Sequence, residues 1–479
     1  MPAAQTQAVR LIELLATLEH AVLAERRPAD QCFAGCCRAH HEWGARDRRL
    51  FGDVLFAFFR WRGWLAGLPP ARALALAGWL DGLTHPALAE LAAQAELKLP
   101  AVTPENLHDK ARELSALIGA LKAPADLLPD WVLPLLSESE TATPQHLAAF
   151  QRRPPVWLRV PPEQVAAVLE FFNQPNPRAA PHPRLPGAIS VKPPANLQGL
   201  RAATGVAAIV QDLASQCVGR WCAPQPGERW WDVCAGAGGK TLHLAALMQN
   251  RGTILATDVR TGALRELEKR AAEAGVTIVR TRHITDAGRN IYDLRFMIDD
   301  LKERGSSVAS DERHPAGRGS HLGPGEQGLP GRREARSTRD TGRETRDARP
   351  ETRDAQLFDG VLVDAPCSGI GTWNRNPDMR WRTEADDVAA KAALQGEILA
   401  RAAQSVRPGG KLVFAVCTVT TPETTGVTEA FSHAHPEFRP DAVAHPLTGE
   451  TQQGACWIWP WAGPCDGMFI ARWRRLEKP

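Results

Sequence analysis

The sequence lacks three features that would assign a protein to a class at once: a long hydrophobic run, a strong net charge and closely spaced cysteines. No apolar run approaches the roughly 18 residues that indicate a membrane span. The N-terminus has no basic start followed by a long apolar core, so we expect no signal peptide. The ten cysteines are scattered, which excludes a disulfide scaffold and favours reduced thiols. We therefore expect a cytoplasmic protein that does not bind membranes.

Size and charge leave the function open. At 479 residues the chain is too long for one core, so about three domains are expected. Hydrophobic residues make up 44% of the chain, which is enough for globular folding. The net charge is only +3, so composition does not indicate a nucleic-acid-binding protein, and local clusters must carry that argument.

The first predicted domain, residues 1–145, is helical, with apolar residues at helical spacing from residue 9 onward. Residues 46–62 combine an apolar face with a row of arginines. That basic face is either solvated surface, which composition alone favours, or a surface that contacts phosphates. Cysteines and histidines at 32–41 lack the two separated ligand pairs of a zinc site, so we predict no metal there.

Two further domains are predicted after it. Residues 146–204 indicate a small α+β module, with strands at 156–160 and 188–192. Residues 205–479 repeat a strand–helix pattern, which predicts a doubly wound, Rossmann-like α/β sheet. Within them, residues 299–356 are rich in Arg, Gly, Glu and Asp and repeat Thr-Arg-Asp, so we expect a disordered insertion.

A glycine-rich turn follows the first strand of the last domain. The strand at 229–233 leads into CAGAGGKT, and a helix at 242–249 follows. Glycines at such a turn let the backbone approach a ligand, and the helix N-terminus offers amide donors. The GKT ending is similar to a P-loop, but that motif needs a glycine where Cys234 stands, so nucleotide hydrolysis is not expected.

Two aspartates follow the next strands. Asp258 comes after the strand at 253–256, about 20 residues beyond the glycine turn, which suits a ribose diol. It could also cap the following helix. Asp286 follows a strand at 277–279 and is the weaker candidate, since loop aspartates are common. This edge of the sheet is therefore expected to hold an adenosine-bearing cofactor.

Two cysteines stand at other strand ends. Residues 358–371, FDGVLVDAPCSGIG, form a buried strand that ends in Asp364, and Cys367 follows in a tight loop. The strand at 411–416 leads to Cys417. Two thiols at neighbouring strand ends, without further ligands, argue against a metal site and suit covalent chemistry, because a thiolate is a strong nucleophile. Taken alone, Cys367 could equally be a structural cysteine.

The stretch after the Cys367 loop, TWNRNPDMRWR, interleaves basic and aromatic residues. In such a pattern the basic residues can contact the phosphates of a nucleic-acid strand, and the aromatic residues can stack on its bases. The residues expected to do so are Trp373, Arg375, Arg380, Trp381 and Arg382.

Together these motifs resemble the Sun/Nop-type RNA cytosine-5 methyltransferases, most closely the bacterial RsmB-like branch that acts on small-subunit ribosomal RNA. The specific matches are DVCAGAGGKT, DAPCSGIG with RNPDMRW, and VCT; softer ones are PPVWLRV, VQDLASQ and DGMFIARW. The N-terminal RDRRLFGDVLFAFFR is similar to the NusB-like helical domain of that branch. Three positions depart from the family pattern: Ala237 replaces proline, Val416 replaces threonine, and PETTGV replaces PEEN while keeping Glu423.

The resemblance implies S-adenosylmethionine as methyl donor and RNA, ribosomal RNA in the first place, as partner. It implies that Cys417 attacks C6 of cytosine and that Cys367 assists product release. Asp364 would bind the target base, with Lys240 close to it, while Asp258 would hold the ribose and Asp286 the adenine. The cofactor-binding set that the resemblance implies is Cys234, Ala235, Gly236, Ala237, Gly238, Gly239, Lys240, Asp258, Asp286 and Asp364.

Three other functions stay open at this point. The chain could methylate transfer RNA, or it could be a catalytically silent RNA-binding factor for ribosome assembly. It could also be a DNA cytosine methyltransferase, whose nucleophile follows a proline as Cys367 follows Pro366. In each case we expect a monomer without a bound metal.

Overall fold

The computed structural model describes residues 3–136, 139–284 and 357–477. Asp286 and the insertion predicted at 299–356 lie outside these residues. Within the described ranges, no helix has both the length and the apolar character that a membrane span requires.

Seven helices cover most of the described residues up to position 150. Their cores form because apolar residues recur three and four positions apart, as Phe51, Val54, Leu55 and Phe58 do; all four are buried. The helices are α1 (Ala3–Leu23), α2 (Ala29–Ala39), α3 (Ala45–Leu65), α4 (Pro70–Leu80), α5 (Pro86–Gln94), α6 (Leu107–Ile118) and α7 (Ser139–Phe150). Pro86 begins α5, because a proline lacks the N–H that the first helical turn leaves unpaired.

Part of the basic face of α3 is unavailable to phosphates, because two of its arginines are paired within the protein. Arg60 is only 4% exposed, and its guanidinium donates to both carboxylate oxygens of Asp81, at 2.8 and 3.0 Å. Arg62 pairs with Glu19 at 3.2 Å. The prediction of a basic face that is solvated or contacts phosphates is therefore wrong at Arg60, where tertiary contacts bury the side chain.

A small antiparallel sheet follows. Its strands are β1 (Val156–Arg159), β2 (Ala179–Pro181), β3 (Ala188–Val191) and β4 (Ile209–Val210), and its helices are α8 (Val165–Asn173) and α9 (Leu197–Thr204). The strand order is β2-β3-β1-β4. The strands predicted at 156–160 and 188–192 are β1 and β3. Leu158, Val168, Ile189 and Leu200 form the shared core of strands and helices.

The large sheet has eight described strands. They are β5 (Arg229–Asp232), β6 (Thr253–Asp258), β7 (Val279–His283), β8 (Phe358–Asp364), β9 (Val406–Val416), β10 (Phe438–Pro440), β13 (Ala455–Ile458) and β14 (Met468–Arg475); β11 (Ala442–Ala444) and β12 (Thr451–Gln453) form a separate hairpin. The strand order is β10-β14-β9-β8-β5-β6-β7, with β13 paired to β14. Strands β5 to β9 are parallel, whereas β10, β13 and β14 are antiparallel to their partners. The Rossmann-like prediction is confirmed, with an antiparallel edge.

Helices cover this sheet: α10 (Leu213–Cys222), α11 (Gly239–Leu247), α12 (Thr261–Glu273), α13 (Ala385–Ala403) and α14 (Thr425–Ala434). The central strands are buried on both faces, and Val361, Leu362 and Val363 have no exposed surface. Close packing explains why a glycine stands at position 360, because a Cβ atom there would lie 2.3 Å from the indole of Trp230.

The chain reverses its direction across the sheet between β5 and β8. From β5 it continues outward to β6 and β7, and it then returns to β8 on the other side of β5, where Trp231 pairs with Val361. In open α/β sheets, ligands bind beyond the carboxyl ends of the strands at such a switch point. The glycine turn after β5 and the loop after β8 both lie there.

Candidate active site

The glycine turn and Asp258 are joined directly. Gly236 N–H donates to Asp258 Oδ2 at 2.8 Å, and Gly236 has a φ of +54°, which favours glycine. Asp258 also accepts from the backbone and guanidinium of Arg260, at 2.8 to 3.1 Å. Burial acts against ionisation of this carboxyl group, but the hydrogen bonds of Arg260 and Gly236 outweigh it and lower the pKa of Asp258. Asp258 is thus an ionised acceptor beside the turn.

Lys240 links the turn to the end of β8. Its Nζ lies 2.7 Å from Asp364 Oδ2, and the two side chains are 12% and 27% exposed. Burial disfavours the ammonium, but the carboxylate of Asp364 more than compensates, so the pKa of Lys240 is raised. The proximity that the resemblance implied for this pair is present.

The two cysteines come together because their strands are neighbours. Asp364 pairs with Ala415 in the β8–β9 register, so the loops that follow these residues start side by side. Cys367 Sγ and Cys417 Sγ lie 3.4 Å apart. The hydrogen bond to Cys417, followed by burial, raises the pKa of Cys367 well above its ordinary value, so this thiol keeps its proton.

A buried carboxylate connects the loops behind the two sulfur atoms. Glu423 has no exposed surface and accepts from Ser368 N–H at 2.8 Å, and from the hydroxyls of Thr418 at 3.1 Å and Thr420 at 3.0 Å. The Ser368 hydroxyl also donates to it, and Gln395 Nε2 donates from α13 at 3.1 Å. This cluster, which we call the Glu423 network, comprises Ser368, Gln395, Thr418, Thr420 and Glu423.

A second buried acid lies under the glycine turn. Asp232 ends β5 with 1% of its surface exposed, and its Oδ2 accepts from the Thr241 hydroxyl at 2.7 Å. Burial raises the pKa of Asp232 to about 7, and the Thr241 hydrogen bond only partly offsets this. Burial likewise raises the pKa of the Cys234 thiol, so Cys234 is a poor candidate for a nucleophile.

The expectation that residues 373–382 present basic and aromatic side chains to a nucleic acid is wrong at Trp373 and Arg380. Trp373 and Arg380 have no exposed surface. The guanidinium of Arg380 donates to the backbone carbonyls of Arg60, Leu127, Phe150 and Trp373, at 3.0 to 3.4 Å. Burial, with the nearby charge of Arg60, lowers the pKa of Arg380 to about 9.

The other basic and aromatic side chains of this segment also have partners within the protein, although Arg375 remains 36% exposed. Trp381 Nε1 donates to Phe59 O of α3 at 2.7 Å. Arg382 pairs with Asp378 at 3.1 Å. Arg375 pairs with Asp212 at 2.6 Å and with Asp466 at 3.2 Å. The segment therefore attaches the N-terminal helices to the loop beside the cysteines.

The structure brings together most of the predicted site residues. The glycine turn, Lys240, Asp364, Cys367 and Cys417 share one edge of the sheet, and Asp258 lies at the glycine turn. The Glu423 network was not predicted as a unit. Ser368 and Thr418 do follow the two cysteines in the motifs, but Gln395 lies inside a helix, where no sequence pattern indicates a contact with a strand-end loop.

The sheet order, the glycine turn at its switch point and the antiparallel strand β14 beside β9 define a Rossmann-like domain. The crystal structure of PH0851 shares the fold, with a TM-score of 0.64 and 22% identity over 97% of this chain and 99% of that chain. The family model described as 16S rRNA methyltransferase RsmB/F matches residues 220–299 and 301–474, more than half of the chain. The chain belongs to this family, which confirms the family that the motifs indicated.

Curated relatives carry names from the same family. The probable ribosomal RNA small subunit methyltransferase B of Bacillus subtilis is 29% identical over 271 residues, 56% of this chain and 47% of that protein. The ribosomal RNA small subunit methyltransferase B of Salmonella arizonae is 29% identical over 352 residues, 72% of this chain and 66% of that protein. The match thus spans between 47% and 66% of the length of these relatives.

Proposed function

We propose that this protein transfers a methyl group from S-adenosylmethionine to C5 of a cytosine in RNA, with small-subunit ribosomal RNA as the substrate. The observation that carries the proposal is the pair of sulfur atoms of Cys367 and Cys417, 3.4 Å apart at the same sheet edge as the Lys240–Asp364 ion pair. Cytosine C5 needs activation before it can accept a methyl group, and a covalently attached thiolate supplies it.

The residues at the switch point fit S-adenosylmethionine, which supplies the methyl group when bound. A Cβ atom at Gly239 would meet nothing within 4 Å, so space remains at the N-terminus of α11. The ionised carboxylate of Asp258 suits the ribose hydroxyls, and Val259 beside it is 52% exposed, an apolar surface for the adenine. The role of Asp286 in binding the adenine stays a prediction.

Cys417 is the proposed nucleophile. Because Cys367 keeps its proton, its S–H can donate a hydrogen bond to Cys417 Sγ, 3.4 Å away. The Cys417 thiolate would form a bond to C6, which places an electron pair on C5. With S-adenosylmethionine bound, that pair would form the bond to the methyl carbon as the methyl–sulfur bond breaks and S-adenosylhomocysteine leaves. A base then removes the C5 proton, and those electrons restore the C5–C6 double bond as the C6–S bond breaks. Cys367 is placed to protonate the leaving thiolate of Cys417.

Asp364 is proposed to hold the cytosine. Its second carboxylate oxygen can accept from the exocyclic amine of the base, while Lys240 fixes the first at 2.7 Å. A cytosine can reach this position only if it is unpaired or turned out of its helix.

We further propose the division into a NusB-like RNA-binding helical domain at 1–145, a linker module at 146–204 and a methyltransferase domain at 205–479. The helices α1 to α6 and the separate antiparallel sheet support this division, while α7 crosses its first boundary and strand β4 of the small sheet lies beyond its second. RNA affinity of the helical domain would come from exposed basic residues other than Arg60, which is buried.

The test is methyl transfer from labelled S-adenosylmethionine to three acceptors: small-subunit ribosomal RNA, transfer RNA and a DNA of the same sequence as the ribosomal target region. We expect label in ribosomal RNA, recovered as 5-methylcytidine after digestion to nucleosides. Label only in transfer RNA would overturn the ribosomal substrate, and label only in DNA would overturn RNA as the substrate. No label in any acceptor, with the folded protein still bound to ribosomal RNA, would favour an assembly factor.

A further inference from the structure

Glu423 occupies a costly position for a carboxylate. It has no exposed surface, and no ion pair of Glu423 occurs among the described ranges 3–136, 139–284 and 357–477. A buried charge is tolerated only when hydrogen bonds replace its water shell. Five donors do so here, from Ser368 N–H and four side chains.

The donors belong to the two loops that carry the sulfur atoms. Ser368 directly follows Cys367, and Thr418 directly follows Cys417. The hydroxyls of Ser368 and Thr418 also lie 3.0 Å apart, so the two loops meet at one carboxylate oxygen. Moving either loop would break a hydrogen bond to a fully buried charge.

A third element fixes the same point. Gln395 of α13, itself without exposed surface, donates to Glu423 Oε1 at 3.1 Å and to Pro366 O at 3.0 Å. It therefore holds the peptide before Cys367 as well as the carboxylate. The Cys367 loop is tied on both sides of its sulfur atom.

We propose that Glu423 is a positioning residue that sets the distance between Cys367 and Cys417 by binding both loops at once. The inference rests on the proposed function for its catalytic consequence, but its geometric part stands on the network alone. A misplaced pair of thiols would slow bond formation and product release, whereas binding of RNA and cofactor would change little.

The experiment compares Glu423→Ala, Glu423→Gln and, as a matched control, Glu429→Ala, which removes an exposed carboxylate of α14. We expect Glu423→Ala to lower kcat about 100-fold with KM for RNA and cofactor within about threefold. Glu423→Gln keeps an oxygen for Ser368 N–H and Gln395, and its amide can donate to hydroxyl oxygens, so kcat should recover to within about tenfold of the wild type. Glu429→Ala should match the wild type.

A second readout does not depend on activity. Diamide oxidises two close thiols to a disulfide, whose S–S bond is about 2.0 Å, so the pair at 3.4 Å needs only a small shift. Mass spectrometry should find the Cys367–Cys417 disulfide forming at similar rates in the wild type and Glu423→Gln, and about tenfold more slowly in Glu423→Ala. If Glu423→Ala does not fold, Ser368→Ala, which removes one donor, should show an intermediate slowing.

The outcomes distinguish a failure of the proposed methyltransferase function from a failure of the positioning role of Glu423. A wild type without methyl transfer, but with the expected order of disulfide rates, would overturn the proposed function and keep Glu423 as the positioning residue. Equal disulfide rates in all folded variants, or a Glu423→Ala enzyme whose kcat is within about threefold of the wild type, would overturn the inference.

Discussion

The ammonium of Lys240 lies 2.7 Å from Asp364 Oδ2 and thereby joins the glycine turn after β5 to the loop after β8. The two residues are 124 positions apart in the sequence and meet because their strands are neighbours. One ion pair thus connects the proposed cofactor side of the site with the proposed base-binding side.

Replacing either partner should show this coupling. Lys240→Met leaves Asp364 without its ion partner, and Asp364→Asn leaves Lys240 without one. Because the pair is partly exposed, we expect a coupling free energy of about 1–2 kcal/mol in a double-mutant cycle of thermal unfolding. Lys269→Met, an exposed lysine of α12, is the control and should show no coupling to Asp364. Additive effects of Lys240→Met and Asp364→Asn would contradict the account.

Asp258 should act on cofactor binding rather than on chemistry. Asp258→Ala removes the proposed ribose acceptor and also the hydrogen bond to Gly236 N–H. We expect the Kd for S-adenosylhomocysteine, measured by calorimetry, to rise about 10- to 100-fold. At saturating cofactor the rate of methyl transfer should change far less. An unchanged Kd would place the ribose elsewhere.

Arg380 should act on stability rather than on RNA affinity. Its replacement by Ala leaves several buried carbonyls without a donor and removes contacts between α3 and the loop beside the cysteines. We expect a loss of about 3–5 kcal/mol in unfolding free energy, seen as a lower Tm. Arg265→Ala, an exposed arginine of α12, should leave Tm unchanged. A normal Tm with weaker RNA binding would restore the phosphate-contact interpretation.

The buried Asp232 predicts a pH dependence of stability. Its pKa is about 7 in the folded chain, against about 3.9 in an unfolded chain. Between these values only the folded state binds this proton, so unfolding free energy falls as pH rises from about 4 to about 7. Burial raises the pKa of Asp466 to about 7 as well, which adds a slope of the same sign.

Asp232→Asn should therefore flatten the pH profile without abolishing it. We compare the unfolding free energy of the variant with that of the wild type at each pH. Between pH 4 and pH 8 this difference should shift in favour of the variant by on the order of 1–4 kcal/mol. Thermal unfolding across this range measures the effect. Asp386→Asn, which changes an exposed carboxylate of α13, should leave the profile as it is. A profile of Asp232→Asn parallel to that of the wild type would show that Asp232 is ionised in the folded chain.

The sequence allowed the site to be predicted where local pattern determines structure. Buried β-branched runs end at Asp258 and Asp364, and parallel strands bring such ends to one edge of a sheet. The surroundings of Arg380 could not be predicted in this way. An arginine between two tryptophan-containing stretches looks the same whether it faces phosphates or the carbonyls of Arg60 and Phe150, which are distant in the chain. Only the tertiary structure decides between them.

The central claim is that Cys417, and not Cys367, forms the bond to cytosine. RNA that carries 5-fluorocytidine tests it directly, because the fluorine at C5 cannot leave as a proton does and the covalent adduct persists. After incubation with S-adenosylmethionine, proteolysis and mass spectrometry should find the methylated, fluorinated cytosine on the peptide that contains Cys417, and none in Cys417→Ala. An adduct on Cys367, or one that survives in Cys417→Ala, would contradict the assignment.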